Sequence, residues 1–279
     1  MQPQIVKLLS CPHCNGALAQ DQNRLVCAQN HSFDLARQGY AMLLSGAQKT
    51  AAENAQMVQS RQDFLNAGHY EPIAAKLIEL SREALGDKGG AIADAGAGVG
   101  WYLSRLLSAL PHSFGVALDS SKAALKRAAK AHENIAAIGC DIWRALPLQS
   151  GSIDLAVNLF APRNGAELRR VLKPGGTLMV VVPNDEHLQT LVDALGLIGV
   201  DPQKRERLSD QLLPYFEPLG ETRLDFEMRL NRAAAMQLVG MGPSAWHHNP
   251  ADLQAKIAAL DEPCLVGGSV TFLAYKARV

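Results

Sequence analysis

Four residues near the N-terminus have the types and the spacing of a metal site. Cys11 and Cys14 form a C-x2-C pair, and Cys27 and His31 follow as a C-x3-H pair after twelve residues. Two thiolates on a knuckle, a spacer of hairpin length and a second ligand pair are typical of tetrahedral zinc. Because four protein ligands close the coordination sphere, we predict one structural Zn2+ ion rather than a catalytic one. Metal binding would supply folding energy that about 40 residues cannot obtain from a core.

The same residues admit other interpretations. His13 lies between the first two cysteines and is a competing imidazole, although its ring should point outward there. The thiols could also be ordinary buried groups or a disulfide pair, which a reducing compartment disfavours. Cys140 and Cys264 lie far along the chain in strand-like surroundings, and we expect them in the core.

A second group of residues has the pattern of a turn that binds a nucleoside. An apolar run at residues 91–93 is followed by Asp94 and then by alternating glycines with one valine among them: Gly96, Gly98, Val99 and Gly100. The pattern predicts a buried strand that breaks into a turn, where glycines let a ligand approach the backbone. Leucines at 103, 106, 107 and 110 have the spacing of a helix that follows the turn.

Two further strand-like runs end in carboxylates. The run 113–118 precedes Asp119, which is placed to accept hydrogen bonds from ribose hydroxyls, and the run 135–140 precedes Asp141. A lone glycine turn is shared by NAD-binding domains and by methyltransferases that use S-adenosylmethionine (SAM). The Leu-Lys-Pro-Gly-Gly turn at 172–176, before the hydrophobic strand 177–182, favours the methyltransferases, because NAD enzymes seldom carry it there.

An α/β fold must position these groups. The succession of strands resembles class I SAM-methyltransferases, so we predict a seven-stranded doubly wound sheet with a small N-terminal zinc-ribbon domain. The predicted boundaries are 1–45 for the zinc ribbon, 46–90 for a linker with helices, and 91–279 for the methyltransferase domain. A helix should start near Ala55, break at 68–72 and resume at 73–85. Beyond residue 183 we expect helices at 185–197, 203–213, 231–239 and 251–260, and strands at 221–230 and 269–276.

Composition limits the classes of function. The 279 residues are 48% hydrophobic and 19% charged, which is typical of a globular protein with a sizeable core. The apolar runs fall short of the roughly 18 residues of a membrane helix, and the first one is too short for a signal peptide. We therefore expect a cytoplasmic protein that does not contact a membrane. Lys plus Arg equals Asp plus Glu at 27 each, so contact with nucleic acid must depend on a local patch.

Two groups of basic residues could form such a patch. The first has helical spacing, and a solvated helix face is its favoured interpretation: Lys122, Lys126, Arg127 and Lys130. The second follows the fourth strand, where we expect it at the mouth of the site as a contact for RNA: Arg163, Arg169, Arg170 and Lys173.

The order of motifs resembles the RlmA (RrmA) family, whose members are 23S ribosomal RNA guanine-N1-methyltransferases. The resemblance rests on the zinc knuckle and on motifs at 33–44, 61–70, 160–162, 167–176, 187–188 and 241–246, so it covers nearly the whole chain. It implies a homodimeric enzyme that uses SAM to methylate N1 of a guanine in a 23S rRNA hairpin loop, held by the zinc module and the core together. It also implies that a tyrosine and a histidine touch SAM. The candidate cofactor-binding residues are therefore Tyr70, Asp94, Gly96, Gly98, Val99, Gly100, Asp119, Asp141 and His187.

One position departs from the family pattern. Val99 stands where an acidic residue is common, so a polar contact to the amino or ribose groups of SAM could be lost. Backbone contacts at Gly96 and Gly98 need no side chain, and we still expect binding. Trp246, His247 and His248 could stack on a flipped base, or Trp246 could pack in the core. The alternative functions are a small-molecule SAM methyltransferase, which would not need a zinc module, and a non-catalytic RNA-binding relative that has lost SAM binding.

Overall fold

The computed structural model describes residues 1–44, 54–201, 203–242 and 249–278. The N-terminal part begins with helix α1 (Pro3–Val6) and continues with the antiparallel strands β1 (Leu18–Asp21), β2 (Arg24–Cys27) and β3 (Ser32–Asp34). Cys27 at the end of β2 pairs with Leu18 at the start of β1. The turn after β2 therefore lies beside the loop that precedes β1, as the two pairs of predicted zinc ligands require.

Two helices lead into the main sheet, as the sequence predicted. Helix α2 (Ala55–Asn66) begins at Asn54, whose side chain accepts a hydrogen bond from the backbone N–H of Met57 and caps the helix. Helix α3 (Glu71–Leu85) has a proline in its first turn and is followed by a short 3-10 turn (Gly86–Lys88). The two helices are separated at Gly68, which has a φ of +84°.

The main sheet contains the seven predicted strands and one more. Its strands are β4 (Ala41–Met42), β5 (Ala91–Ala95), β6 (Phe114–Asp119), β7 (Ile135–Gly139), β8 (Ile153–Leu159), β9 (Leu172–Pro183), β10 (Phe216–Leu230) and β11 (Cys264–Ala277). They lie in the order β10-β11-β9-β8-β5-β6-β7-β4, in which β11 is antiparallel to both of its neighbours and the other pairs are parallel. The prediction of seven strands missed β4, because two residues are too few to show a pattern.

Within the described residues, seven further helices connect or flank the strands of the main sheet: α4 (Trp101–Ala109), α5 (Lys122–Ala128), α6 (Gly165–Val171), α7 (Gln189–Leu195), α8 (Lys204–Leu212), α9 (Arg232–Gly240) and α10 (Pro250–Ala258). Apolar side chains of α3, α4 and α5 pack on one face of the sheet, and those of α6 and α8 pack on the other. The sheet is therefore doubly wound, as predicted, and its two faces each bury a hydrophobic core.

Four predicted elements have clearly different bounds. Helix α7 is shorter than the predicted 185–197, because Leu188 and Gly196 at its two ends have left-handed backbone with φ of +63° and +71°. Strand β10 starts at residue 216 rather than 221, since Phe216 pairs with Ala277 of β11, and β11 starts at residue 264 rather than 269, since Cys264 pairs with Leu230. The Leu-Lys-Pro-Gly-Gly turn lies within β9 as an irregularity: the partners of β8 jump from Leu172 to Thr177.

Within the described residues, backbone hydrogen bonds attach the N-terminal part to the rest of the protein at two places. Strand β4 pairs with β7, so that Ala41 lies opposite Ile138. Residues 8–10 hydrogen-bond with residues 147–149: Gln149 N–H donates to the carbonyl of Leu8, and Ser10 N–H donates to that of Pro147. Ile5 and Leu9 of the N-terminal part are fully buried in the core on one face of the main sheet. Within the described residues, no helix is long and apolar enough to span a bilayer.

Candidate active site and metal centre

The four predicted zinc ligands converge in the N-terminal part. One donor atom each of Cys11, Cys14, Cys27 and His31 lies within 4.8 Å of all the others. His31 Nδ1 is 3.4 Å from Sγ of Cys11 and of Cys27, and the Sγ atoms of Cys14 and Cys27 are 3.7 Å apart. Zinc–sulfur bonds of about 2.3 Å at tetrahedral angles place two sulfurs about 3.8 Å apart. The donor set therefore fits one zinc ion.

The competing assignments for these residues are wrong. His13 is exposed, and its ring stacks on Phe33 at 5.7 Å between centroids instead of joining the donor set. All five cysteines are free thiols, so no disulfide forms, and Cys140 and Cys264 are buried in the core as predicted. Although burial raises it, hydrogen bonds from the backbone N–H groups of His31 and Gln29 lower the pKa of Cys27 to about 6. A thiolate is the form that binds zinc.

The glycine turn between β5 and α4 has the predicted left-handed backbone. The φ angles of Gly96, Gly98 and Gly100 are +87°, +53° and +75°. A Cβ atom at Gly96 would lie 2.3 Å from Cβ of Ala161, and one at Gly100 would lie 3.0 Å from Ala128. At these two positions the close approach comes from the chain itself, whereas the prediction attributed it to a ligand. Gly98 is the glycine with room beside it, since its nearest neighbour is the flexible side chain of Arg61 at 3.6 Å.

A cavity of about 580 Å³ opens beside this turn. It lies at the carboxyl ends of the parallel strands β5, β6, β7 and β8, where open α/β sheets bind their ligands. Eight of the nine candidate cofactor-binding residues line it: Tyr70, Asp94, Gly96, Gly98, Val99, Asp119, Asp141 and His187. Gly100 does not line the cavity, because it begins α4 and packs against Ala128 of α5.

Three carboxylates of the cavity wall have distinct environments. Asp94 is buried, and this burial together with the charge of Asp119 raises its pKa to about 8. Asp119 accepts hydrogen bonds from the backbone N–H groups of Gly98 at 2.8 Å and Ser121 at 2.8 Å, which fix its side chain beside the turn. Asp141 accepts one from the N–H of Trp143 at 3.0 Å. The last two carboxylates are therefore oriented by backbone contacts.

Buried polar atoms at the cavity fit the amino-acid part of SAM. Among the described residues, four buried side-chain polar atoms lack a hydrogen-bond partner, and three of them belong to residues that line the cavity: Asp94 Oδ2, Trp101 Nε1 and Tyr102 Oη. Leaving such atoms unpaired is costly. One acceptor and two donors match the ammonium and the carboxylate of an amino acid, and Arg61 adds a cation to the lining. The sequence analysis did not select Arg61, Trp101 or Tyr102.

Tyr70 and His187, which the family resemblance selected, contact each other. The hydroxyl of Tyr70 lies 3.3 Å from Nε2 of His187. The backbone N–H of Ser269 donates to Nδ1 of His187 at 3.1 Å. Because Nδ1 accepts a hydrogen bond, the neutral ring carries its proton on Nε2 and donates it to the hydroxyl of Tyr70. The Tyr70 hydroxyl hydrogen can then be donated within the cavity, and burial raises the pKa of this hydroxyl.

The second basic group does not form the predicted RNA-binding patch. Arg163 is 7% exposed and donates to Oδ1 of Asn158 and to the carbonyl of Ala161. Arg170 pairs with Glu167, and Lys173 pairs with Asp154 at 2.7 Å. Asp154 lies at the start of β8, at the edge of the sheet opposite to the cavity. Three of the four side chains are therefore paired within the protein, and Arg169 is half-buried on α6.

In the first basic group, Lys122, Lys126 and Lys130 are exposed, as a solvated face requires. Arg127 instead joins α5 to α2 by hydrogen bonds to the side chains of Gln59 and Gln62. The Trp246-His247-His248 segment lies outside the described residues.

Comparisons with known proteins agree with both sites. Residues 9–51 match the zinc-ribbon family described as "RlmA, N-terminal", and residues 92–176 match a methyltransferase domain. The 23S rRNA (guanine(748)-N(1))-methyltransferase of Streptomyces fradiae is 44% identical over 275 residues, which are 98% of each chain. A protein of Micromonospora griseorubida, provisionally named a 23S rRNA (guanine-N(1)-)-methyltransferase, is 45% identical over 99% of each chain.

A solved structure shows the same fold. A SAM-dependent methyltransferase from Aquifex aeolicus superposes with a TM-score of 0.50 at 14% sequence identity, over 81% of this chain and 99% of that chain. The methyltransferase domain and the zinc ribbon establish SAM and one zinc ion as the cofactors. Since relatives at 44% and 45% identity match this chain over nearly its whole length, and residues 9–51 match the RlmA zinc ribbon, this chain belongs to the RlmA family of 23S rRNA (guanine-N1)-methyltransferases.

Proposed function

We propose that this protein transfers the methyl group of SAM to N1 of a guanine in a hairpin loop of 23S rRNA. The observation that carries the proposal is the cavity beside the glycine turn, whose carboxylates and unpaired polar atoms fit SAM, in a chain that also carries the zinc ribbon. Relatives that cover nearly the entire chain are named for this reaction. Bound SAM would supply an electrophilic methyl group on a sulfonium.

The proposed contacts with SAM follow from the charge and the hydrogen-bonding groups of the side chains that line the cavity. Asp119, whose carboxylate is held by two backbone N–H groups, would accept hydrogen bonds from ribose hydroxyls. Asp141 would accept from the adenine amino group. Asp94 would pair with the ammonium of the methionine part, and Arg61 with its carboxylate. Val99 is 4% exposed and packs in the core, so binding at the turn would depend on backbone and neighbouring side chains.

The substrate base must be unpaired to react. N1 of guanine lies on the Watson–Crick edge, so a paired guanine cannot present it to a methyl donor. Methyl transfer is an in-line displacement that would form the bond from the methyl carbon to N1 and break the bond from sulfur to that carbon, releasing S-adenosylhomocysteine and the proton of N1. The main task of the protein is to align the reacting atoms at about 3 Å and to exclude water. The ring and hydroxyl of Tyr70, oriented by His187, would border the place where the two substrates meet.

The direct test is methylation of unmodified 23S rRNA by the purified, zinc-loaded protein with labelled SAM, followed by mapping of the modified nucleotide. We expect one N1-methylguanine, and an activity that falls steeply with salt concentration, as RNA binding requires. Transfer to small molecules that is insensitive to salt would favour the alternative methyltransferase. Absence of SAM binding in calorimetry would favour the non-catalytic relative.

Assembly and location complete the proposal. We propose a homodimer in the cytoplasm, with a zinc ribbon at 1–45, a linker with helices at 46–90 and the methyltransferase domain at 91–279. The family resemblance supports the dimer, and the proposed substrate supports the location. Sedimentation equilibrium should give twice the mass of the 30.0 kDa chain, and a monomer would contradict the dimer.

A further inference from the structure

Two exposed aromatic rings stand on the wall of the cavity. Trp143 is 60% exposed and Phe160 is 37% exposed. Among the described residues, seven large apolar side chains are exposed, and only these two line the cavity. Exposed aromatic rings at a cavity mouth are typical of sites that stack on a planar ligand.

Phe160 has a strained backbone, which the surrounding loop maintains. Its φ is +53°, a region that bulky residues rarely adopt. The N–H of Phe160 donates to the carbonyl of Val181 at 3.1 Å. On the other side, Asn158 donates to the carbonyls of Ala95 and Pro162, and Arg163 donates to that of Ala161. Strain that is held by so many contacts is concentrated at functional sites.

The ring of Phe160 belongs to an aromatic cluster. It stacks on His187 with centroids 6.0 Å apart and an interplanar angle of 27°, and Tyr70 lies 6.2 Å from it. The His187 ring is in turn fixed by hydrogen bonds at both nitrogens. A planar base that packed on the exposed face of the Phe160 ring would extend this stack, in which the His187 ring is already held in place.

The position of Phe160 separates it from the nucleoside part of SAM. In the sheet order β8-β5-β6-β7, Asp119 and Asp141 follow β6 and β7 on one side of β5. Phe160 follows β8 on the other side of β5, and its neighbour Ala161 contacts the turn at Gly96. Trp143 follows β7 and so lies on the nucleoside side. Phe160 is therefore the exposed ring that borders the acceptor half of the cavity.

We propose that Phe160 is the residue on which the target guanine stacks, with His187 supporting its ring from within the protein. The inference rests on the proposed function and adds the residue that positions the methyl acceptor. The stack holds the unpaired base by its face and leaves its Watson–Crick edge available for methyl transfer.

The test compares four variants in SAM calorimetry and in methylation of unmodified 23S rRNA. Phe160→Leu and Phe160→Gly should lower kcat/KM for rRNA by about 5- to 150-fold, the range of one lost base stack, with the Kd for SAM within twofold of wild type. Phe160→Tyr should stay within threefold of wild type. Tyr215→Leu is the matched control, because Tyr215 is 38% exposed and does not line the cavity.

Phe160→Gly separates stacking from backbone strain. Glycine adopts a positive φ without strain, so this variant should be folded at least as stably as Phe160→Leu. If Phe160→Gly kept wild-type activity on rRNA, or if its affinity for SAM fell in parallel with its activity, the inference would be overturned. A wild-type protein that binds SAM but does not methylate 23S rRNA would instead refute the proposed function, and the inference with it.

Discussion

The zinc ribbon and the glycine turn reach a defined geometry by different means. In the ribbon, residues 11–31 supply four donor atoms within 4.8 Å of one another, and a bound zinc ion would hold them together. In the turn, Gly96 lies against Ala161 and Gly100 lies against Ala128, which leaves no room for side chains at these glycines. The backbone N–H groups of Gly96 and Gly98 donate hydrogen bonds to the next strand and to the carboxylate at its end. The spacing of residues in the sequence therefore predicts the metal centre, whereas the shape of the turn depends on contacts between residues that are distant in the sequence.

The largest effect should come from removing a zinc ligand. Cys27→Ala should lose zinc, whose binding contributes about 10–16 kcal/mol in small zinc domains, and should lower rRNA methylation more than 100-fold. The Kd for SAM should stay within threefold, because no residue of 1–44 lines the cavity. Zinc content, hydrogen exchange of the ribbon and SAM calorimetry measure these outcomes.

His13→Ala provides the control for that variant, since its ring is outside the donor set. It should retain one zinc ion per chain. Loss of SAM binding in Cys27→Ala would show that the two regions are not separable.

A methyl group at the turn should have the next largest effect. Gly96→Ala places a Cβ 2.3 Å from Ala161 at a φ of +87°. Overpacking and backbone strain together should lower the free energy of unfolding by about 2–4 kcal/mol, measured by urea denaturation. Gly151→Ala is the matched control: its φ is +61° with no atom within 4 Å, so it should lose only the strain, about 1–2 kcal/mol. If both variants lost equal stability, packing against Ala161 would not define the turn.

The pH dependence of SAM binding should show a smaller effect. Burial and the charge of Asp119 raise the pKa of Asp94 to about 8, so the protein without SAM holds a proton there at pH 7. Pairing with the ammonium of SAM favours the carboxylate, and binding should release this proton. Affinity should therefore rise by up to about tenfold per pH unit below about pH 8, and it should fall above that pH, where the α-ammonium of free SAM loses its own proton. Calorimetry in buffers of different ionisation enthalpy counts the proton.

The raised pKa of Asp94 also predicts how the stability of the protein without SAM depends on pH. A carboxyl whose pKa is raised in the folded state stabilises the fold fully below its unfolded pKa, near 3.8, and loses this contribution as the pH rises through about 8. Urea unfolding should thus show stability falling between about pH 4 and pH 8, and Asp94→Asn should flatten that slope. An unchanged slope would contradict the role of Asp94.

The smallest effect should come from Lys173→Gln. The Lys173 ammonium pairs with Asp154 at the edge of the sheet opposite to the cavity. Both side chains are partly exposed, so the pair should contribute less than about 1 kcal/mol to stability. Methylation of rRNA should change less than twofold, and its salt dependence should be unchanged. A tenfold loss of rRNA affinity would show that Lys173 contacts RNA, as the sequence analysis predicted.

The sequence predicted the features that short-range patterns determine. The zinc ligands, the strand that ends at Asp94, the carboxylates after the next two strands and the break between α2 and α3 are all set by neighbours in the chain. The end of β8 was less accessible to such reasoning. Its strained Phe160 and its buried Arg163 depend on hydrogen bonds around Asn158, which no periodicity reveals.

The sequence itself contains evidence against the predicted RNA contacts of Arg170 and Lys173. Arg170 lies three residues after Glu167, a spacing at which opposite charges pair on a helix. Lys173 lies just after the start of β9, parallel to β8, and the residues that begin a parallel strand are at the edge opposite to its carboxyl end. Both observations would have moved these side chains away from the mouth of the site.

The double attachment of the ribbon constrains how such a protein can evolve. Residues 8–10 are bonded to 147–149, and residues 41–42 extend the sheet beside β7. If recombination exchanged the ribbons of two relatives, the new ribbon would have to match the rest of the protein at both attachments at once. Point substitutions on the ribbon surface, by contrast, leave both attachments in place.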